Sequence, residues 1–181
     1  DEVVRRFNPT ILVGASGQPS TFTEEIIRTM HRGCPRPIIL ALSNPTSKTE
    51  VAPEDFIRWT DGAGVIGTGS PFPPVEHRGI THTIGQGNNA LIFPGVGLGA
   101  TAVDARWLPD EAFTAAARAL GEFTAGPPQS PIYPSVLKLR EVARAVAIAV
   151  GLALVDAGAA APLTRAEVER RVTADMWVPE Y

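Results

Sequence analysis

The chain has 181 residues, 44% hydrophobic and 19% charged, with 16 Lys and Arg against 19 Asp and Glu for a formal charge of −3. This is enough for one sizeable core and reads as a soluble globular protein, and with no basic stripe to track a phosphate backbone it argues against nucleic acid as a partner. The longest apolar stretch, Ala143 to Val155, is too short and Ala-rich to span a bilayer, no signal-peptide pattern opens the chain, and the single cysteine, Cys34, excludes an internal disulfide, so no membrane role and a cytoplasmic location are expected.

Thr10 to Val13 is a short apolar, β-rich run that ends at Gly14-Ala15-Ser16-Gly17. Thr21 and Glu24 then have the spacing of a capping box ahead of a helix over Glu25 to His31. The unit repeats. Pro37 to Leu42 is a second apolar run, Ser43-Asn44-Pro45-Thr46 is its turn, and Pro53-Glu54-Asp55 has the proline and acids of a first helical turn, for a helix carrying Phe56, Ile57 and Trp59. A third run, Gly64 to Thr68, leads into the turn-rich loop Gly69 to Pro74. Short apolar strands alternating with helices predict a parallel sheet buried on both faces.

Beyond this the chain reads as helical. Pro109-Asp110-Glu111 starts a helix bearing Phe113, Ala116, Ala117 and Leu120. After the Pro-rich turn 126–131 comes the longest helix, with Val136, Leu139, Val142, Ala143, Val146, Val150 and Leu154 on one stripe, long enough to cover a sheet face. Thr164 and Glu167 form a second capping box, and Met176 to Tyr181 reads as a docked tail. The boundaries are residues 1–106 for an α/β part and 107–181 for a helical segment packed on the sheet. With Asp1 in place of a methionine, the chain is expected to be a piece of something longer.

The glycine pattern G-x-G-x-x-[GA] occurs at Gly62/Gly64/Gly67, Gly85/Gly87/Ala90 and Gly95/Gly97/Ala100. The pattern binds a dinucleotide only where it leaves a strand and opens a helix. The first copy precedes its strand, the second has no clear strand before it, and the third carries Pro94 and reads as close helix–sheet packing. Gly14 to Gly17 is better placed, at the carboxyl end of a strand, where open α/β sheets bind ligands. Asn44 follows the second strand in the same topological position, and Asn88 and Asn89 add two carboxamides after Gly85-Gln86-Gly87. An ordinary turn for Asn44 and a helix cap for Asn88 stay open as readings. His31, His77 and His82 have no metal-ligand spacing, and no nucleophilic or acid–base constellation assembles.

Taken in order, Gly14-Ala15-Ser16-Gly17 with Phe22-Thr23, Leu42 to Thr46, Ala63 to Phe72, Gly85 to Asn89, Ile92 to Gly95, Ile132-Tyr133-Pro134, the Glu141-Val142-Ala143-Arg144 helix and Trp177 to Tyr181 resemble the C-terminal half of the cofactor-binding domain of malic enzymes. The resemblance spans nearly the whole chain. It implies an α/β fold, part of a doubly wound parallel sheet of Rossmann-like NAD(P)-binding type with a helical C-terminal segment. It implies NAD or NADP as cofactor and oxidative decarboxylation of L-malate to pyruvate and CO2 with Mg2+ or Mn2+. Carried over by motif, Gly14, Ala15, Ser16 and Gly17 lie along the dinucleotide, Asn44 near nicotinamide and substrate, and Asn88 and Asn89 at the substrate carboxylate and nicotinamide ribose.

The family's catalytic Tyr and Lys, malate-binding arginine, metal ligands and pyrophosphate loop precede the matched segment, so this segment holds no catalytic residue or metal ligand. Tyr133, Tyr181, Lys48 and Lys138 lie in the wrong motifs to replace them. Residues 1–181 alone are therefore expected to be inactive and to need the N-terminal part of the same enzyme, within a homodimer or homotetramer. Two other readings stay open: malolactic-type decarboxylation with bound NAD, and a non-catalytic nucleotide-binding module.

Overall fold

The computed structural model describes residues 2–124 and 130–178. They fall into two compact units. One, Asp1–Gly87 with Thr124–Pro134, is built on a sheet; the other, Asn88–Phe123 with Ser135–Tyr181, is helical.

In the sheet unit, β1 (Ile11–Gly14), β2 (Ile38–Ala41), β3 (Val65–Thr68) and β6 (Gly85–Gln86) lie in the order β1-β2-β3-β6, and every pair is parallel. Parallel neighbours need crossover connections, supplied after β1 by α2 (Glu24–Gly33) and after β2 by α3 (Pro53–Trp59). A short helix, α1 (Glu2–Phe7), precedes β1. Ile27 and Met30 of α2, Phe56 and Ile57 of α3, Ile39 and Ala41 of β2 and Ile66 of β3 form the core. Full burial of each large side chain contributes about 1.5–3 kcal/mol. One face of the edge strand departs from the expected double burial, with Ile11 and Val13 at 52% and 55% exposure.

The cap of α2 is a correction. Thr23, not Thr21, accepts the backbone N–H of Ile26, while the Thr21 hydroxyl donates to the Gln18 carbonyl. The helix thus begins at Glu24 itself, and Glu24 and Glu25 face the positive end of its dipole. The α3 start is as its proline and acids predict, with Pro53 in the first turn. An antiparallel hairpin, β4 (Val75–His77) with β5 (Ile80–His82), was not expected from the sequence. Its two-residue turn, Arg78 and Gly79, has both φ values positive (52° and 77°), which matches the right-handed twist of paired strands.

In the helical unit, α4 (Phe93–Ala102), α5 (Asp110–Glu122) and α7 (Arg165–Asp175) pack against α6 (Leu139–Asp156). Val142, Val146, Val150 and Leu154 of α6 are fully buried. Val136 lies outside α6, in a 3₁₀ turn over Val136–Lys138. Gly95 and Gly99 are one turn apart on α4 and face α6: a Cβ on Gly95 would come within 2.6 Å of Val146 Cβ, and one on Gly99 within 2.5 Å of the Ala147 carbonyl oxygen. The close packing expected of this glycine run is therefore helix on helix, not helix on sheet. Thr164 and Glu167 make the full capping box of α7. Among the described residues no helix is long and apolar enough to cross a membrane. Most of the turn 126–131 and the last residues of the tail lie outside the described residues.

Candidate functional site at the strand ends

The carboxyl ends of β1, β2 and β3 are in register, Gly14 beside Ala41 and Ala41 beside Thr68. Backbone bonds stitch the loops beyond them: Leu42 N–H donates to Gly14 O at 2.8 Å, Gly69 N–H to Ala41 O at 2.9 Å, and Gly87 N–H to Thr68 O at 2.7 Å. The Gly14–Gly17 loop, the Ser43–Thr46 turn and the loop after β3 therefore lie side by side. Gly69 is required by this approach, since a Cβ there would lie 2.1 Å from the Leu42 carbonyl oxygen. Tyr133 closes the inner side, its ring edge 2.8 Å from where a Gly67 Cβ would stand and 3.1 Å from that of Gly87. Burial pushes the Tyr133 phenol pKa up, so the hydroxyl stays protonated at neutral pH.

Beneath the first two loops sits Glu50, fully buried. Its carboxylate accepts the Ser16 backbone N–H at 3.0 Å, the Ser16 hydroxyl at 3.1 Å, the Ser43 N–H at 3.4 Å and the Ser43 hydroxyl. Burial alone pushes the carboxyl pKa up, but the hydrogen bonds from Ser43 and Ser16 outweigh it and hold it below its ordinary value. Gly14 makes the space: a Cβ there would stand 2.7 Å from both Cγ and Cδ of Glu50. Sequence reasoning missed Glu50, because in one sequence it reads as a solvated loop acid between Thr49 and Val51.

Of the predicted site residues, the structure brings Gly14, Ala15, Ser16, Gly17 and Asn44 together in the sheet unit. Asn44 is exposed and follows Ser43 directly, through a cis bond to Pro45. Its Oδ1 accepts the Ser70 hydroxyl at 2.6 Å, and its Nδ2 reaches the Leu42 carbonyl at 3.4 Å. Ser70 is itself held, its carbonyl accepting the buried Thr68 hydroxyl at 2.8 Å. The amide is thereby oriented: its oxygen is occupied, and an N–H of Nδ2 remains to donate outward.

Asn88 and Asn89 are exposed at the start of the helical unit. The Asn88 side chain caps the 3₁₀ turn Asn89–Leu91 by accepting the Ala90 N–H at 2.9 Å, which leaves its amide nitrogen as the outward donor. Of the dinucleotide-like glycine patterns, Gly85/Gly87/Ala90 corrects the expectation that no strand precedes it: Gly85 opens β6 and Ala90 lies in the 3₁₀ turn Asn89–Leu91, whereas Gly62 lies in the turn before β3 and Gly95 lies inside α4. Among the described residues no group of three or more His, Cys, Asp or Glu is placed to hold a metal ion.

Comparison with known proteins gives a consistent set. The family model described as the malic enzyme NAD-binding domain matches residues 1–155. The chain is 44% identical over 99% of its length to the NAD-dependent malic enzyme of Pectobacterium carotovorum subsp. carotovorum, and 45% identical over 99% to that of Sodalis glossinidius. It spans 32% of the length of each of these relatives. Among solved structures it is similar to the malic enzyme of Entamoeba histolytica, with a TM-score of 0.75 and 26% identity over 93% of this chain and 32% of that one. It is also similar to the malic enzyme of Pyrococcus horikoshii Ot3, with a TM-score of 0.68 and 26% identity over 91% of this chain and 34% of that one.

Proposed function

The chain belongs to the malic enzyme family, through its NAD-binding domain, and from that membership we propose that it is the cofactor- and substrate-orienting segment of an NAD-dependent malate oxidoreductase. The reaction is oxidative decarboxylation of L-malate to pyruvate and CO2. Bound NAD would accept the hydride leaving malate C2. The acid–base pair, the malate-binding arginine and the ligands of an Mg2+ or Mn2+ ion belong to the rest of a longer polypeptide, in which subunits form a homo-oligomer. Ile11 and Val13, half exposed on the edge strand, are apolar surface that such a polypeptide would cover.

The observation that carries this reading is the oriented amide of Asn44 at the junction of three parallel strand ends, where α/β sheets place their ligands. A carboxamide whose oxygen is occupied offers a fixed, non-titrating N–H donor, suited to a carbonyl or carboxylate oxygen of nicotinamide or malate. Asn88 and Asn89 are assigned to the substrate carboxylate and the nicotinamide ribose. Gly14 to Gly17 are assigned to the dinucleotide.

The full-length polypeptide tests this. With malate and Mn2+ it should reduce NAD in preference to NADP and release pyruvate. Lactate without net NADH would instead make it a malolactic enzyme, and binding of NAD without turnover would make it a nucleotide-binding module. Asn44→Ala and Asn88→Ala should each lower kcat or raise the malate KM by about ten- to a hundredfold, through lost orientation of the reacting groups. Unchanged kinetics would remove them from the site.

A further inference from the structure

Glu50 is a buried charge held by four hydrogen bonds. Burying an ionised carboxylate is costly unless it is paired or fully hydrogen-bonded. Among the described residues no cation pairs with it; its partners are the amides and hydroxyls of Ser16 and Ser43. Those two serines belong to the two loops that follow β1 and β2. The carboxylate therefore fastens one strand-end loop to the other, and its negative charge stays beneath them.

The same network decides what the Gly14–Gly17 loop can offer a ligand. A loop that cradles phosphate turns consecutive backbone N–H groups outward. Here the Ser16 N–H points inward to Glu50, the Gly17 N–H donates to the Ser43 hydroxyl at 2.9 Å, and the Gln18 N–H donates to the Ser16 hydroxyl at 3.2 Å. Three successive donors are spent on Glu50, Ser43 and Ser16. Ala15 and Ser16 are exposed, and the missing Cβ of Gly17 has nothing within 4 Å.

We infer that Glu50 is a positioning residue that locks the Gly14–Gly17 loop into a phosphate-excluding form, so that the loop serves the phosphate-free nicotinamide–ribose part of the dinucleotide. This rests on the NAD reading above and deepens it. The carboxylate acts through the loop and touches neither cofactor nor substrate.

The test is equilibrium binding of two probes, NADH and ADP, to the full-length polypeptide. Glu50→Gln keeps the shape but sets an amide N–H₂ among four donors, which should release the loop. NADH affinity should fall about tenfold, the worth of one charge-assisted hydrogen bond, while ADP affinity does not weaken beyond about twofold. Ser16→Ala removes only the hydroxyl, and should give the same pattern at about threefold; it decides the matter if Glu50→Gln does not fold. Loss of both probes together or unchanged NADH binding overturns the inference while leaving the NAD reading standing; tighter ADP binding, through N–H groups freed from the released loop, supports it. A wild-type protein that binds no NADH overturns both.

Discussion

Gly14 and Gly69 of the sheet unit, and Gly95 and Gly99 of the helical unit, all stand where a Cβ would collide with a neighbour, but the neighbours differ in kind. In the first unit they are the carboxylate stem of Glu50 and the backbone of Leu42. In the second they are Val146 and the backbone of Ala147 on a neighbouring helix. The first pair makes room for polar groups that join loops; the second lets two helices approach across an apolar seam. Glycine density alone thus carries no functional meaning, and what decides is whether the freed space is filled by a hydrogen-bonding group.

Substitutions can sharpen that contrast, and the largest effect is expected at Gly69. A Cβ there meets the Leu42 carbonyl oxygen at 2.1 Å, and both segments are pinned at the strand ends, Gly69 N–H by Ala41 O and Leu42 N–H by Gly14 O. Gly69→Ala should cost about 3 kcal/mol or more, the upper range for overpacking, read as a shift in the urea midpoint of the full-length protein. It should also abolish NADH binding, because the Asn44 turn is displaced with it. A variant that keeps both its midpoint and its affinity would show that the strand ends are not as tightly joined as their hydrogen bonds imply.

Gly99→Ala is the counterpart in the helical unit. Its Cβ would stand 2.5 Å from the Ala147 carbonyl oxygen and 3.0 Å from Val150 Cβ, so α4 and α6 must separate. The expected loss is about 2 kcal/mol. NADH affinity measured well below the melting temperature should hardly change, since the seam carries no polar group of the site. A parallel fall in affinity would break the comparison.

The third prediction concerns pH. The folded-state pKa of Glu50 is lowered from 4.5, so its contribution to stability is fully present above the unfolded value and is lost as pH falls through the folded one. Unfolding free energy followed by urea titration should therefore decline on the acid side of about pH 4.5. Glu50→Gln should make that decline shallower, while leaving the neutral-to-alkaline limb parallel to wild type. An identical acid limb in the variant would mean that the carboxylate is not ionised in its buried setting.

These contrasts also show what one sequence can reveal. Strands β1 to β3 and helices α3 and α7 were legible because their signals are local: short apolar runs, Pro53 with two acids, and Thr164 with Glu167 three positions on; β4, β5 and β6, two or three residues each, carry too short a pattern to read. The α2 cap was misplaced by two residues because Thr21 and Thr23 both precede acids, and only the backbone of Thr23 is turned to receive Ile26. The positions of Asn44 and the Gly14–Gly17 loop followed from strand ends, which are also local. Glu50 was not legible, because its burial depends on Ser16, 34 residues away, and on a glycine at position 14 whose space it fills. The partner of the Gly95–Gly99 face was likewise set by chain 48 to 51 residues downstream, in α6.

The smallest expected effect is the one that isolates the cause. Gly97 lies between Gly95 and Gly99 on the same helix, but a Cβ there would meet nothing within 4 Å. If Gly99→Ala destabilises through contact with α6, Gly97→Ala must do the opposite, because alanine in a helix interior is favoured over glycine by about 0.8–1 kcal/mol when no contact intervenes. A rise in the thermal midpoint of that variant, beside a fall for its neighbour two residues on, would attribute the seam to packing alone. If Gly97→Ala also destabilises, α4 needs glycine for its backbone and not for its partner, and the contrast between the two units no longer holds.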